Sequence, residues 1–587
     1  MTPTDTIPLL SVCDLSIAFS RDRMKAAVLQ GLSFDLAVGE TLAIVGESGS
    51  GKTVSVMSLL QLLPGNSATV SGRALFRGED LLTASESRIT QVRGAEISMI
   101  FQEPMTSLNP VLTIGRQITE VIVAHQRTSE SEAIRQAVRM LERVRISDPR
   151  RRMKQYPHQL SGGMRQRVMI AMALACRPRI LIADEPTTAL DVTVQAQVLD
   201  LIRDLKSDFG TGVILITHDM GVVAEMADRV VVLRAGQKVE EGSVADVFSR
   251  PQATYTRTLL DAVPRLGDSL IVFPREEPKR RAEPTVEVRD LSVRFDVREG
   301  VFRRLTGRVH AVDGVSFSIA SGETLGLVGE SGSGKSTTGR ALIRLEEAWS
   351  GTIIIEGHNI AKLDRRAMKP VRRLAQMIFQ DPFASLNPRI EAGAQVAAPL
   401  AIHHVGAALE RRERAADLFR RVGLSTEMLT RFPHEFSGGQ RQRLCIARAL
   451  ALNPRLIVAD EAVSALDVTI QGQVVALMRE LQQELGLSYL FISHDIAVVE
   501  RIAHRIAVMY LGRIVEIGPC AEVLRNPQHP YTRRLLEAVP VADPGRARTR
   551  RKVEDGELRS PIRALDWSSP PASYMEAGSG HLVAVES

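Results

Sequence analysis

Cysteine is scarce: four residues in 587, at positions 13, 176, 445 and 520. Far apart, they form neither a disulfide framework nor a metal-ligand cluster, and a reducing compartment is the expected setting. Long hydrophobic runs are missing as well. No apolar stretch approaches the roughly 18–20 residues that cross a bilayer, so no membrane span is expected. The opening MTPTDTIPLLSVCDL has no basic region and no long apolar region, so a secretory leader is not expected either. Nor is there a strong charge of one sign. Lys and Arg number 74 against 68 acidic residues, a net +6, which describes a solvated mixed surface rather than a nucleic-acid footprint. Disorder is excluded by 44% apolar and 24% charged residues. At this length two or more domains are expected.

Internal repetition is abundant. GESGSGKT at Gly46–Thr53 returns as GESGSGKS at Gly329–Ser336. IFQEPMTSLNP, with Gln102, returns as IFQDPFASLNP, with Gln380, and YPHQLSGGMRQR returns as FPHEFSGGQRQR. Asp184-Glu185 and His218 return as Asp460-Glu461 and His494. Five landmarks in one order, each pair roughly 280 residues apart, mean two copies of one domain and exclude a short-repeat solenoid. The expected boundaries are 8–265 and 285–543, with a linker at 266–284 that carries Pro274, Pro278 and Pro284. Fully extended, that linker reaches at most ~65 Å. Residues 544–587, rich in Arg, Pro and Ser, read as a poorly ordered tail.

Within each copy, short apolar strands (TLAIVG, ILIAD, VILITHD; TLGLVG, LIVAD, YLFISHD) alternate with helical stretches, which predicts an α/β domain around a buried sheet. Between Gln102 and Ser161 a capping box, Ser129 to Glu132, starts a helix with apolar Ile134, Val138, Leu141 and Val144 at helical spacing. That segment reads as a helical subdomain, with its counterpart between Gln380 and Ser437.

GxxxxGK[ST] directly after a buried strand is a phosphate loop in its structural context. Gly46, Gly49 and Gly51 let the chain curl so that backbone N–H groups face phosphate oxygens. Lys52 supplies charge to the β and γ phosphates and Thr53 a hydroxyl to Mg²⁺. Gly329, Gly332, Gly334, Lys335 and Ser336 repeat this. A strand ending in Asp184, or Asp460, brings a carboxylate to the same cation, and the next residue, Glu185 or Glu461, is placed to polarise an attacking water. Gln102 and Gln380 are candidates for Mg²⁺ or water. His218 and His494 end strands, and their repetition favours contact with the γ-phosphate. Ser161-Gly162-Gly163 and Ser437-Gly438-Gly439 precede helices, giving N–H donors and a hydroxyl at a positive helix end. Each domain thus has two anion-binding devices. Head-to-tail packing would sandwich one ATP between Lys52, Asp184, Glu185 and His218 of one copy and Ser437 of the other. A second ATP would lie between Lys335, Asp460, Glu461, His494 and Ser161.

With these motifs in view, nearly the whole chain from residue 8 to 542 resembles two fused ATP-binding cassette domains. The resemblance implies an α/β fold of two tandem P-loop NTPase domains, each a RecA-like core with an antiparallel β subdomain and a helical subdomain. It makes Gly46, Glu47, Ser48, Gly49, Ser50, Gly51, Lys52 and Thr53 one Walker A loop. Gly329, Glu330, Ser331, Gly332, Ser333, Gly334, Lys335 and Ser336 make the other. Asp184 and Asp460 end Walker B, the SGG triplets are signatures, Gln102 and Gln380 are Q-loops, and His218 and His494 are switch histidines. Ala189-Leu190-Asp191 and Ala465-Leu466-Asp467 match the D-loop. Implied cofactors are ATP and Mg²⁺, with Thr53, Gln102, Asp184, Ser336, Gln380 and Asp460 at the metal. Ala462 stands where the first copy has Pro186, and Phe436 opens the second signature; neither removes a ligand. Phe19 and Phe295 lie near the adenine-stacking position, where a Phe is more often core.

The QEPMTSLNP and QDPFASLNP extensions, and NPQHPYTRRLLEAVP at Asn526–Pro540, resemble the importer subfamily serving peptides, dipeptides and nickel. DEAVSALD and the terminal GHLVAV are similar to its glutathione-importing branch. The resemblance implies an ATPase on the cytoplasmic face of a bacterial inner membrane, with two permeases and a periplasmic binding protein as partners. Its cargo would be glutathione, or di- and oligopeptides. Tandem cassettes acting in translation or DNA repair are disfavoured, because the linker is short and proline-bearing and zinc-type cysteine clusters are absent.

Overall fold

The computed structural model describes residues 8–21, 24–102, 107–188, 190–263, 267, 284–299, 302, 304–364, 366–464, 466–547, 562–565, 567, 573–578 and 580–585. They form two units, one per sequence repeat. Most of the 266–284 linker, and residues 103–106, 189 and 465 of the repeated motifs, lie outside the described residues.

The first unit contains β1 (Leu10–Arg21), β2 (Met24–Leu36), β3 (Thr41–Val45), β4 (Ala68–Phe76), β5 (Glu79–Asp80), β6 (Ile97–Ile100), β7 (Ile180–Asp184), β8 (Gly212–Ile216), β9 (Arg229–Arg234) and β10 (Gln237–Ser243). An antiparallel sheet runs in the order β2-β1-β4-β5, and a six-stranded sheet in the order β10-β9-β3-β8-β7-β6. The six-stranded sheet is parallel except for β10. Strands β3, β7 and β8 are buried at every residue. That is why they read as unbroken apolar runs: a parallel strand covered on both faces has no solvent side to alternate with. Each buried Leu, Ile or Val contributes about 1.5–3 kcal/mol, enough to hold strained turns at the strand ends. Because β3, β7 and β8 are parallel, their carboxyl ends share one edge, where ligands bind in open α/β sheets.

A helical layer follows β6. Ser129 caps the Glu130–Arg143 helix, its hydroxyl accepting from Glu132 N at 3.3 Å, as the capping box predicts. The buried face differs from expectation. Ala133, Ala137, Met140, Leu141 and Val144 are buried, whereas Ile134 is 44% exposed and Val138 only half-buried. Two alanines one turn apart let this helix approach the neighbouring Ile114–Gln126 helix closely, which turns the bulkier Ile134 outward.

The second unit repeats the plan with β11 (Val286–Glu299), β12 (Arg304–Ile319), β13 (Thr324–Val328), β14 (Ser350–Ile355), β15 (His358–Asn359), β16 (Ala375–Ile378), β17 (Leu456–Asp460), β18 (Ser488–Ile492), β19 (Arg505–Tyr510) and β20 (Arg513–Pro519). It then adds β21 (Ile562–Arg563), β22 (Ser573–Gly578) and β23 (His581–Val585). The sheets run β15-β14-β11-β12-β21 and β16-β17-β18-β13-β19-β20-β23-β22. Two boundaries therefore change. Residues 573–578 and 581–585, expected as tail, form a hairpin on β20. His581 and Val583 face inward, and His581 Nε2 lies 2.7 Å from the fully buried Glu516 carboxylate. An Arg- and Pro-rich average over the segment hid this short alternating strand. Residues 540–547, assigned from sequence partly to the second domain, group with the first unit.

Candidate functional site

In each unit the loop after the first central parallel strand turns through three glycines of positive φ: Gly46, Gly49 and Gly51 at 152°, 79° and 95°, and Gly329, Gly332 and Gly334 at 147°, 76° and 103°. The third glycine caps a helix that begins at the loop lysine, Lys52–Leu59 or Lys335–Leu342. The positive helix end therefore faces into the loop. Lys52 Nζ donates to the carbonyls of Gly46 (2.7 Å) and Glu47 (2.9 Å). Lys335 Nζ does the same with Gly329 (2.7 Å) and Glu330 (2.8 Å). Burial pushes the Lys335 ammonium pKa down, against the pull of surrounding carboxylates.

The helix and the end of β7 meet at the next residue. Thr53 Oγ1 donates to Asp184 Oδ1 at 3.0 Å, and Ser336 Oγ to Asp460 Oδ1 at 2.7 Å. Burial pushes the Asp184 carboxyl up to about 6, and Asp460 also upward. Hydroxyl and carboxylate oxygens are hard donors, and a buried carboxylate calls for a nearby positive charge. This pair fits a small divalent cation with oxygen ligands.

One residue further, Glu185 has φ 46° and Glu461 φ 48°. The left-handed turn redirects each side chain from the strand end toward the glutamine and histidine. Glu185 Oε2 accepts from Gln102 Nε2 (2.8 Å) and Thr188 Oγ1 (2.8 Å), and Oε1 lies 3.3 Å from His218 Nδ1. Glu461 Oε2 accepts from Gln380 Nε2 (2.7 Å) and lies 3.5 Å from His494 Nδ1. Burial works to raise both glutamates. The histidine hydrogen bond and charge outweigh it, holding Glu185 near about 2 and Glu461 below the usual carboxylate range. His494 is raised in turn: burial opposes its charge, but Glu461 prevails. Each glutamate is thus ionised at any working pH and keyed to one orientation.

The structure brings together Lys52, Thr53, Asp184, Glu185, Gln102 and His218, and their six counterparts in the second unit. Ser161 and Ser437 occupy another place. Each caps a helix, Gly162–Leu174 or Gly438–Leu450, its hydroxyl accepting from Met164 N or Gln440 N at 3.3 Å. Of the aromatic candidates, Phe19 is half-buried against the core, while Phe295 is 40% exposed. Sequence reading missed Thr188. In the second unit the matching Ser464 donates to the Glu461 backbone carbonyl (3.0 Å), not to its carboxylate. A hydroxyl three residues after each Asp-Glu was the available signal.

Comparison with known proteins bears on this geometry. The ABC transporter family model matches residues 29–188 and 312–464. A model described as the oligopeptide/dipeptide transporter C-terminal region matches 239–287 and 515–563. The glutathione import ATP-binding protein of Salmonella choleraesuis is 54% identical over 99% of this chain and 97% of its own length. Its namesake from Escherichia coli K12 is also 54% identical, over 98% of this chain and 96% of its own length. Among solved structures, a post-hydrolysis ATP-binding cassette dimer with ADP and Pi is 30% identical, covering 40% of this chain and 98% of that one at a TM-score of 0.37.

Proposed function

Because the chain belongs to the ABC transporter family, we propose that it hydrolyses ATP at two sites to drive import of glutathione. One observation carries the reading. A phosphate loop, a buried Asp and an oriented Glu–Gln–His cluster are assembled at the carboxyl edge of a parallel sheet, twice over. Near-full-length identity to glutathione import proteins supports the cargo.

The residues divide the work. Loop amides and Lys52 or Lys335 bind the phosphates. Thr53 with Asp184, or Ser336 with Asp460, would hold Mg²⁺, which when bound neutralises phosphate charge. Glu185 or Glu461 accepts a hydrogen from the attacking water and aims it. In the first unit Gln102 fixes one oxygen of that carboxylate and His218 the other; in the second, Gln380 and His494 both meet Oε2 of Glu461. The catalytic glutamate therefore cannot swing away from the water it must hold.

Among the described residues no helix is long and apolar enough to cross a membrane. The likeness to import ATP-binding proteins implies membrane permeases as partners. We assign two permeases and a periplasmic binding protein, with this chain on the cytoplasmic face of the inner membrane. The match to the oligopeptide/dipeptide C-terminal region favours peptide import as the second reading. Uptake of labelled glutathione and of a labelled dipeptide, in cells lacking the gene, separates the two. Wild type is expected to restore glutathione uptake, and the Glu185→Gln/Glu461→Gln form is not. Restoration of dipeptide uptake alone would move the cargo to peptides.

A further inference from the structure

We propose that Tyr531 is a positioning residue of the second ATP site, setting the peptide plane on which the phosphate-loop lysine rests. The inference builds on the reading of Gly329–Ser336 as an ATP site.

Tyr531 lies about 200 residues beyond that loop, in the segment matching the oligopeptide-transporter C-terminal region. It sits in the Pro530–Glu537 helix and is 4% exposed. Its hydroxyl accepts from the backbone N–H of Glu330 at 3.0 Å. That N–H belongs to the same peptide unit as the Gly329 carbonyl, which accepts from Lys335 Nζ at 2.7 Å. One planar group is therefore gripped from both ends, by the lysine on its oxygen and the tyrosine on its nitrogen. Rotation of this plane would carry away the carbonyl that steadies the ammonium. With Gly329 at φ 147°, nothing in the glycine itself resists such rotation.

The tyrosine is itself braced. Its ring leans on Tyr510, centroids 4.2 Å apart, and the Arg534 guanidinium lies 5.6 Å from its centroid. The start of its helix is anchored on Glu516, whose carboxylate accepts from Gln528 N (2.8 Å) and His529 N (3.0 Å). The same carboxylate meets His581 of the terminal hairpin. In the first unit the corresponding ring, Tyr255, packs under Arg234 at 4.8 Å. The Tyr–Tyr brace belongs to the second unit.

The test is MANT-ATP binding to the full chain. In a Lys52→Ala background the second loop is the reporter, and Tyr531→Phe removes the hydroxyl while keeping the ring against Tyr510. Affinity is expected to weaken about five- to tenfold, with a fall in melting temperature of no more than about 5 °C. Amide exchange in the 325–334 peptide should quicken. In a Lys335→Ala background Tyr531→Phe is expected to leave the residual affinity unchanged. Ring packing alone would predict no change in either background. Unaltered affinity in the Lys52→Ala chain, or an equal loss in both backgrounds, overturns the proposal. Should the Lys52→Ala chain with Tyr531 intact bind no MANT-ATP, the reading of the second loop as an ATP site falls, and this proposal with it.

Discussion

Replacing Glu185 and Glu461 together with glutamine is expected to slow ATP hydrolysis about a hundred- to a thousandfold, the usual share of a positioned general base. Nucleotide binding should stay within about twofold. The geometry makes this substitution unusually clean. A glutamine carbonyl at Oε2 still accepts from Gln102 and Thr188, as the carboxylate does now. Its amide then faces His218 Nδ1, which accepts in its neutral form. At Glu185 shape and hydrogen bonds survive, and only the charge and basicity go. Phosphate release by the assembled transporter, read beside MANT-ATP binding, checks the split. Normal turnover by both single variants and the double would remove these glutamates from the reaction.

Alanine at Gly46 or Gly329 should be strongly damaging. A Cβ at Gly46 would stand 2.2 Å from the Leu233 carbonyl oxygen, and one at Gly329 2.1 Å from that of Met509. Both obstacles are backbone atoms of the adjoining strands β9 and β19, so no side chain can swing clear. The φ values of 152° and 147° add strain of their own. A loss of about 2 kcal/mol or more is expected, with a fall in melting temperature of roughly 4–8 °C for the unit concerned. Binding at that site should drop at least tenfold, about 1.4 kcal/mol. Gly49→Ala is the control. No atom lies within 4 Å of its Cβ position, leaving only the strain of φ 79°, about 1 kcal/mol. Calorimetry on the three variants, beside nucleotide titration, tests the ranking. Wild-type binding by Gly46→Ala would mean that the loop does not depend on its seat against β9.

Sequence disclosed the site more fully than the packing around it. Phosphate loops, Asp-Glu pairs and strand-end histidines are fixed by chemistry, and chemistry demands residue types at short spacing. Thus Lys52 next to Thr53, or Asp184 next to Glu185, is readable without coordinates. The helix after Ser129 was placed by its cap, but its buried stripe was not, since Ile134 outranks Ala133 on any hydrophobic scale. Close approach selects the alanine, and only a neighbouring helix reveals that selection. Tyr531 was visible as part of a subfamily marker, yet its bond to Glu330 spans some 200 residues and leaves no periodic trace. The hairpin at 573–585 failed for a related reason: its partner strand β20 lies some sixty residues upstream.

The left-handed backbone at Glu185 and Glu461 has a consequence for how this protein can change over generations. Each glutamate occupies a conformation that glycine adopts without strain, and the difference is about 1 kcal/mol. Glycine alone would relieve that strain, and it would give up the hydrogen bonds by which Gln102, Thr188 and His218 hold Glu185. Any other replacement keeps the strained turn, so an inert site does not come with a more stable fold, and the acid can be exchanged for its amide without the backbone having to move.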